Sequence, residues 1–288
     1  MGTALDELIE LLHLETLEVN LFRGLSPDEN RQRVFGGQVA GQALVAAGRT
    51  VERGVVHSLH AYFLRPGDPR IPIVYEVDRI RDGKSFTTRR VVAIQHGRAI
   101  FNLSASFHLE EPGPEHQYEM PEVPAPEALP TIAEQLAPHE DKFPEAMVEW
   151  IKRERPIETR STKPPRWLDR DPGPREPEQH VWFRANGVLP DDPLLHACVV
   201  AYASDLTLLD TATMAHVRSW DDEGFMIASL DHAMWFHRPL RADEWLLYHQ
   251  KSPSAQAARG LAEGFIYRRD GALAVTVIQE GLIRPMKS

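Results

Sequence analysis

Residues 36–51 read Gly36-Gly37-Gln38-Val39-Ala40-Gly41-Gln42-Ala43-Leu44-Val45-Ala46-Ala47-Gly48-Arg49-Thr50-Val51. The run is apolar on nearly every face and is built mostly from small side chains. A helix of that kind belongs inside a protein, and its small residues let a sheet wrap closely around it. Strand-like segments follow at 57–64, 71–80, 85–95 and 99–108, punctuated by Arg65-Pro66-Gly67, Arg81-Asp82-Gly83 and His96-Gly97. Ahead of the run, Leu5, Leu8, Ile9, Leu11 and Leu12 predict a short amphipathic helix within 4–18.

The pattern recurs. A second apolar helix is predicted after Pro190-Asp191-Asp192-Pro193, from Leu194 to Asp205 or beyond, with strands at 225–236, 244–252, 256–268 and 272–284. Phe63-Leu64-Arg65-Pro66 matches Phe236-His237-Arg238-Pro239 at an offset of 173, and His96-Gly97 matches Asp270-Gly271 at 174. That period is too long for a solenoid and reads as one domain duplicated. Between the copies, residues 110–180 hold most of the prolines, with a helical pattern at 131–153 and short strands at 156–162 and 180–186. The expected organisation is a first unit over 1–110, a proline-rich linker over 111–179 and a second unit over 180–288. The class is α+β: two buried helices, each wrapped by an antiparallel sheet, which is the double hot-dog architecture.

Composition bounds the partners. The chain has 288 residues, 42% of them hydrophobic, enough for a sizeable core. A formal charge of −10 argues against a broad nucleic-acid-binding surface. No apolar run approaches the roughly 18 residues of a membrane helix. The acidic start, Met1 to Glu7, does not read as a signal peptide. The single cysteine, Cys198, lies in an apolar run, so a buried, inert thiol in a reducing compartment is expected. The expected location is the cytoplasm. Histidines are numerous, but His57 and His60, three apart on a strand, point to opposite faces. No spacing suggests zinc, and neither a metal nor a cofactor is expected.

Three residues stand out for chemistry. Asp205 closes an apolar stretch, and a carboxylate at the edge of a core needs partners. Spacing leaves it open between a functional group and a helix-terminal Asp facing water. Gln279 shares a strand face with Val275 and Val277, so its amide is either functional or a tie to the backbone. Ser229 lies early in the strand that ends at Arg238-Pro239, where a serine is commonly structural. No Gly-x-Ser-x-Gly elbow exists to support a serine hydrolase. Gly83-Lys84-Ser85 imitates the end of a P-loop, but Asp78 stands where that motif needs glycine.

Longer motifs narrow the reading. Arg33-Val34-Phe35-Gly36-Gly37-Gln38-Val39-Ala40-Gly41-Gln42-Ala43, His57 through Gly67, Arg81-Asp82-Gly83-Lys84-Ser85-Phe86, Tyr202-Ala203-Ser204-Asp205-Leu206, Asp231 through Pro239 and Gln279-Glu280-Gly281 appear in order along the chain. Together they resemble the signatures of the type II acyl-CoA thioesterases, the TesB family, over nearly the whole sequence. The resemblance implies a double hot-dog fold, hydrolysis of medium- to long-chain acyl-CoA, and assembly as a homodimer or homotetramer.

It also implies a catalytic trio of Asp205, Ser229 and Gln279, with Ser229 where some members carry threonine. In such a trio Asp205 acts on a water that the other two orient. His57 stands where the family carries a histidine once assigned a catalytic role, and is a supporting candidate. Gly36, Gly37 and Gln38 are candidate oxyanion donors at a helix N-terminus. Arg81 and Lys84 are candidate cations for the phosphates of coenzyme A. At the repeat offsets, Gln279 corresponds to Ala105 and Ser229 to Val56, so one reaction centre per chain is expected. Two other readings compete: a non-catalytic acyl-CoA binder and a hot-dog enoyl-CoA hydratase. The hydratase would need Asp231 and His232 as a dyad, and adjacent strand residues face opposite ways.

Overall fold

The computed structural model describes residues 2–27, 32–165, 168, 175–216 and 224–286. Its first half runs α1 (Ala4–Leu12), β1 (Glu15–Glu18), β2 (Leu21–Gly24), α2 (Gly36–Gly48), β3 (Val55–Phe63), β4 (Ile73–Asp82), β5 (Phe86–Gln95) and β6 (Arg98–His108). The crossing carries α3 (Ile132–Leu136), α4 (Glu145–Lys152) and β7 (Ile157–Ser161). The second half runs β8 (Glu178–Ala185), α5 (Pro193–Ser204), α6 (Leu208–Thr213), β9 (Phe225–Ser229), β10 (Asp231–Phe236), β11 (Leu246–Gln256), β12 (Arg259–Arg268) and β13 (Leu273–Pro285).

The described strands form one antiparallel thirteen-stranded sheet, in the order β1-β2-β4-β5-β6-β3-β10-β13-β12-β11-β8-β7, with β9 paired to β13. The halves join where β3 pairs with β10, Leu59 opposite Met234. The duplication holds in the strand register. Ala105 sits opposite Arg89, and Gln279 opposite Ala262. Val56 sits opposite Phe107, and Ser229 opposite Gly281.

Inside the sheet lie α2 and α5, both almost wholly buried. They run antiparallel: Gly37 abuts the Tyr202 carbonyl, Gly41 the Cys198 carbonyl and Gly48 the Leu194 side chain. A Cβ on Gly37 would sit 2.4 Å from the Tyr202 oxygen. The small residues of the run at 36–51 thus bring two helices together as well as admitting a sheet. Antiparallel packing sets the N-terminus of α2 beside the C-terminus of α5, and that juxtaposition builds the site.

Several expectations need correction. The first helix ends at Leu12, its start fixed by a reciprocal cap between Thr3 and Asp6. The apolar spacing lapses after Leu12, and Glu15–Glu18 instead form the exposed outer strand of a hairpin. The helical pattern at 131–153 is broken by Pro138 and Pro144 into α3, a 3₁₀ segment (Ala137–Lys142) and α4. The strand at 225–236 is two, β9 and β10, interrupted at Leu230. Strand β7 and the start of β8 join the second half's sheet from within the segment read as linker. The stretch Pro193–Thr213 is long and apolar enough to cross a membrane, contrary to the sequence reading. It is two core helices separated by the turn after Ser204.

Candidate active site

Asp205 is the C-cap of α5, with φ −88° and ψ −1°. Its own helix disfavours a negative charge there, because unpaired carbonyls gather at a C-terminus. Helix α2 supplies the opposite end. The Gly37 backbone N–H donates to the Asp205 carboxylate. Gly36 has no side chain to intervene: a Cβ there would lie 2.7 Å from Asp205 Oδ2. Glycine at both positions is therefore a condition of the contact.

From the sheet, Gln279 on β13 completes the group. Its Nε2 donates to Asp205 Oδ1 at 2.7 Å and to Ser229 Oγ at 3.0 Å. The amide is fully buried, and its Oε1 has no partner among the described residues. Because Ser229 Oγ accepts from the amide, its own hydrogen is available to another acceptor. Asp205 and Ser229 are half-buried, so the trio is reachable. Enclosure pushes the Asp205 carboxyl up to about 6, while the bonds from Gln279 and Gly37 oppose that rise. The result is a carboxylate ionised at neutral pH and basic enough to take a proton.

The preceding residue is held from two sides. Ser204 Oγ lies 2.9 Å from His232 Nε2, and the Ser204 carbonyl accepts from the Tyr248 hydroxyl at 3.2 Å. Burial takes His232 down to about 4, so the ring is neutral. Asp231 faces elsewhere and accepts from the Glu280 backbone N–H at 2.7 Å. The pair is split as alternation requires, and the structure forms no Asp231–His232 dyad.

Other candidates lie apart. Gln38 donates to the Leu25 carbonyl and Ser26 Oγ at 3.1 and 3.0 Å, so its side chain ties down the approach to α2 and does not face the trio. His57 lies near the far end of β3, about 20 Å along the strand from Phe63, which borders Gly36. It stacks edge-on with Phe86 and His108. Arg81 and Lys84 sit in the exposed β4–β5 turn beside the C-terminal end of α2, about 20 Å of helix from Gly36. The structure therefore does not gather His57, Arg81 or Lys84 at this centre. Cys198 is buried, and its thiol is held well above the ordinary range, so it is inert.

Sequence reasoning assigned no role to Arg33, although it opens the first quoted motif. Arg33 Nη2 donates to the Ile227 carbonyl at 3.2 Å, two residues before Ser229. With Phe35 and Tyr202, whose rings meet edge-on at 5.1 Å, it lines a small cleft at the α2 N-terminus. A cation at that position was the available signal, since helix N-termini favour anions. Spacing could not reveal a second cluster either. Glu178, His180 and His249 place their ligating atoms within 4.8 Å of one another across β8 and β11. Lys251 lies 3.5 Å from Glu178 and already balances its charge.

Comparison with known proteins agrees with this architecture. A family model described as "Acyl-CoA thioesterase" matches residues 151–282, and one described as "Acyl-CoA thioesterase N-terminal domain" matches 26–108. Acyl-coenzyme A thioesterase 8 of Homo sapiens is 45% identical over 95% of this chain and 88% of its own length. Acyl-CoA thioesterase 2 of Haemophilus influenzae is 42% identical over 99% of both. The crystal structure of the acyl-CoA thioesterase II TesB2 from Mycobacterium marinum superposes with a TM-score of 0.79 at 48% identity, covering 97% of this chain and 99% of that one. With a matching double hot-dog fold, two family models in sequence order and relatives this similar along its full length, the chain belongs to the acyl-CoA thioesterase family, a family of thioester hydrolases.

Proposed function

We propose that the chain hydrolyses acyl-CoA by direct attack of a water activated by Asp205 and oriented by Ser229 and Gln279. The observation that carries this reading is the Gln279 amide. Its nitrogen donates to both Asp205 Oδ1 and Ser229 Oγ, holding the carboxylate and the hydroxyl side by side. A water beside Asp205 and Ser229 would donate one hydrogen to the Asp205 carboxylate, while the buried Gln279 amide fixes both of those side chains from behind. It would accept from the Ser229 hydroxyl and keep one lone pair for the carbonyl carbon. Asp205 takes the first proton as the C–O bond forms. The tetrahedral intermediate then expels the thiolate, and the proton on Asp205 passes to that sulfur. Products are the fatty acid and coenzyme A, and the base is regenerated.

Oxyanion stabilisation is assigned to the α2 N-terminus. The Gly37 N–H is committed to Asp205, so of the three proposed donors the backbone N–H groups of Gly36 and Gln38 remain. His57 takes no part in the chemistry in this reading. Medium- to long-chain acyl groups are proposed as substrates, with association of chains into a homodimer or homotetramer. The single buried cysteine supports a reducing, cytoplasmic setting. The test is thiol release from a C4–C18 acyl-CoA panel, with Asp205→Asn beside wild type. Activity that falls about 10²- to 10⁴-fold in the folded variant supports the base. Equal activity removes Asp205 from the mechanism, and binding without turnover in both proteins would make the chain a binder.

A further inference from the structure

A cavity of about 290 Å³ opens at the C-terminal end of α2, away from the trio. The duplication explains why it exists. Two of its lining residues, Thr87 and Leu109, correspond at offsets of 173 and 174 to Gly260 and Ile283. In the second half the space beside Gly260 is filled by α6, since a Cβ there would lie 2.9 Å from the Ala212 Cβ; where α6 also covers Gly281, the first half carries the buried Phe107 instead. The first half connects α2 to β3 through the short segment 49–54 with no counterpart of α6. The part of the equivalent space beside Thr87 and Leu109 stays open.

The lining is charged. Arg89 is buried, and its donors are engaged by the Thr50 hydroxyl and carbonyl, the Arg81 and Thr88 carbonyls and Asp82 Oδ1. It neutralises Asp82 and answers the carbonyl-rich end of α2. That leaves Arg53, Arg79 and Lys84 against Glu52, all exposed around the opening. A local excess of cations on a chain of net charge −10 favours an anion. The volume suits a diphosphate group better than a whole nucleotide cofactor.

We infer that this cavity is an anion site, separate from the reaction centre, that takes the diphosphate of a phosphorylated ligand. Two sources share that chemistry: the nucleotide end of an acyl-CoA molecule, and a free nucleoside diphosphate. The inference does not depend on water attack, because binding can be read in the Asp205→Asn chain as well as in wild type.

The experiment is calorimetric titration of the full chain with inorganic pyrophosphate at low salt. One site per chain is expected, weakened at least about tenfold by the paired reversals Arg53→Glu and Arg79→Glu. A second variant, Thr87→Phe, fills the cavity as α6 fills its counterpart and should abolish the site. Thermal melts confirm that the variants fold. A reversal that raises KM for acyl-CoA but not for the phosphate-free acyl-pantetheine thioester assigns the site to the nucleotide end of acyl-CoA. Lost pyrophosphate binding with both KM values constant assigns it to a free nucleotide. Absence of pyrophosphate binding, or binding indifferent to both kinds of variant, overturns the inference.

Discussion

Replacing Gln279 by Met tests the coupling between the amide and the base. Met fills a similar volume and contributes no polar group. In the folded chain the amide donates to Asp205 Oδ1 at 2.7 Å, a bond that favours the ionised carboxyl. A hydrogen bond to a charged group contributes about 1.5–3 kcal/mol, and one pH unit corresponds to about 1.4 kcal/mol. Removing the bond should raise Asp205 from about 6 by roughly one to two units. At pH 7 the ionised fraction then falls from about 0.9 to between roughly 0.5 and 0.1. Ionisation alone costs about two- to tenfold, and the lost grip on the water adds to it. The assay is kcat/KM for thiol release between pH 5 and 9, since its limbs report the free enzyme. The acid limb should sit near 6 in wild type and move upward in the variant. A limb that stays in place or moves down refutes the arrangement, whatever the loss in rate.

Stability should respond oppositely to activity in Asp205→Asn. A carboxyl with a folded pKa near 6 and an unfolded one near 4 binds its proton more tightly when folded, so stability falls as pH rises between those values and levels beyond them. Asn avoids that cost, so the variant's Tm should exceed wild type at pH 8 by the equivalent of up to about 3 kcal/mol, with the gap closing below pH 4. Gly36→Ala places a methyl 2.7 Å from Asp205 Oδ2 and 2.8 Å from the Phe63 ring, so it should lower kcat and also lower Tm. Gly37→Ala meets the Tyr202 carbonyl at 2.4 Å, a backbone atom that cannot swing aside, and should cost about 1–3 kcal/mol in chemical denaturation as well as activity. Arg89→Met strands the Thr50 and Arg81 carbonyls and should cost about 3 kcal/mol by the same measurement.

The sequence carried the architecture because its strongest signals are local. The small-residue run at 36–51, the second apolar helix and the paired strands each declare themselves within a short window. Gln279 was legible by alternation, since Val275 and Val277 share its face. Asp205 was not settled by the same means. What encloses it is the α2 N-terminus, about 170 residues away in sequence, and no local pattern announces that contact. Prolines hid within an otherwise helical rhythm at 131–153, and α6 hid as the continuation of an apolar run. The Glu178–His180–His249 group needed two strands in register before it existed at all.

The same antiparallel packing that makes one centre explains why the other end has none. Each helix pairs its N-terminus with the other's C-terminus, so two centres are geometrically available. At one, the α5 C-cap is Asp205, answered by Gly36 and Gly37. At the other, the α2 C-cap is Arg49, and the facing α5 N-terminus begins at Pro193. Arg49 suits a helix C-terminus and donates to the Leu14 carbonyl, but it cannot serve as a base. Val56 and Ala105 occupy the hydroxyl and amide positions, and Arg89 stands where Ala262 leaves room beside Gln279. Installing the side chains alone should therefore fail: Val56→Ser with Ala105→Gln, placed in the Asp205→Asn background, is expected to restore no thiol release. Recovery in that triple variant would show that amide and hydroxyl suffice without the carboxylate, and the role given to Asp205 would fall with it.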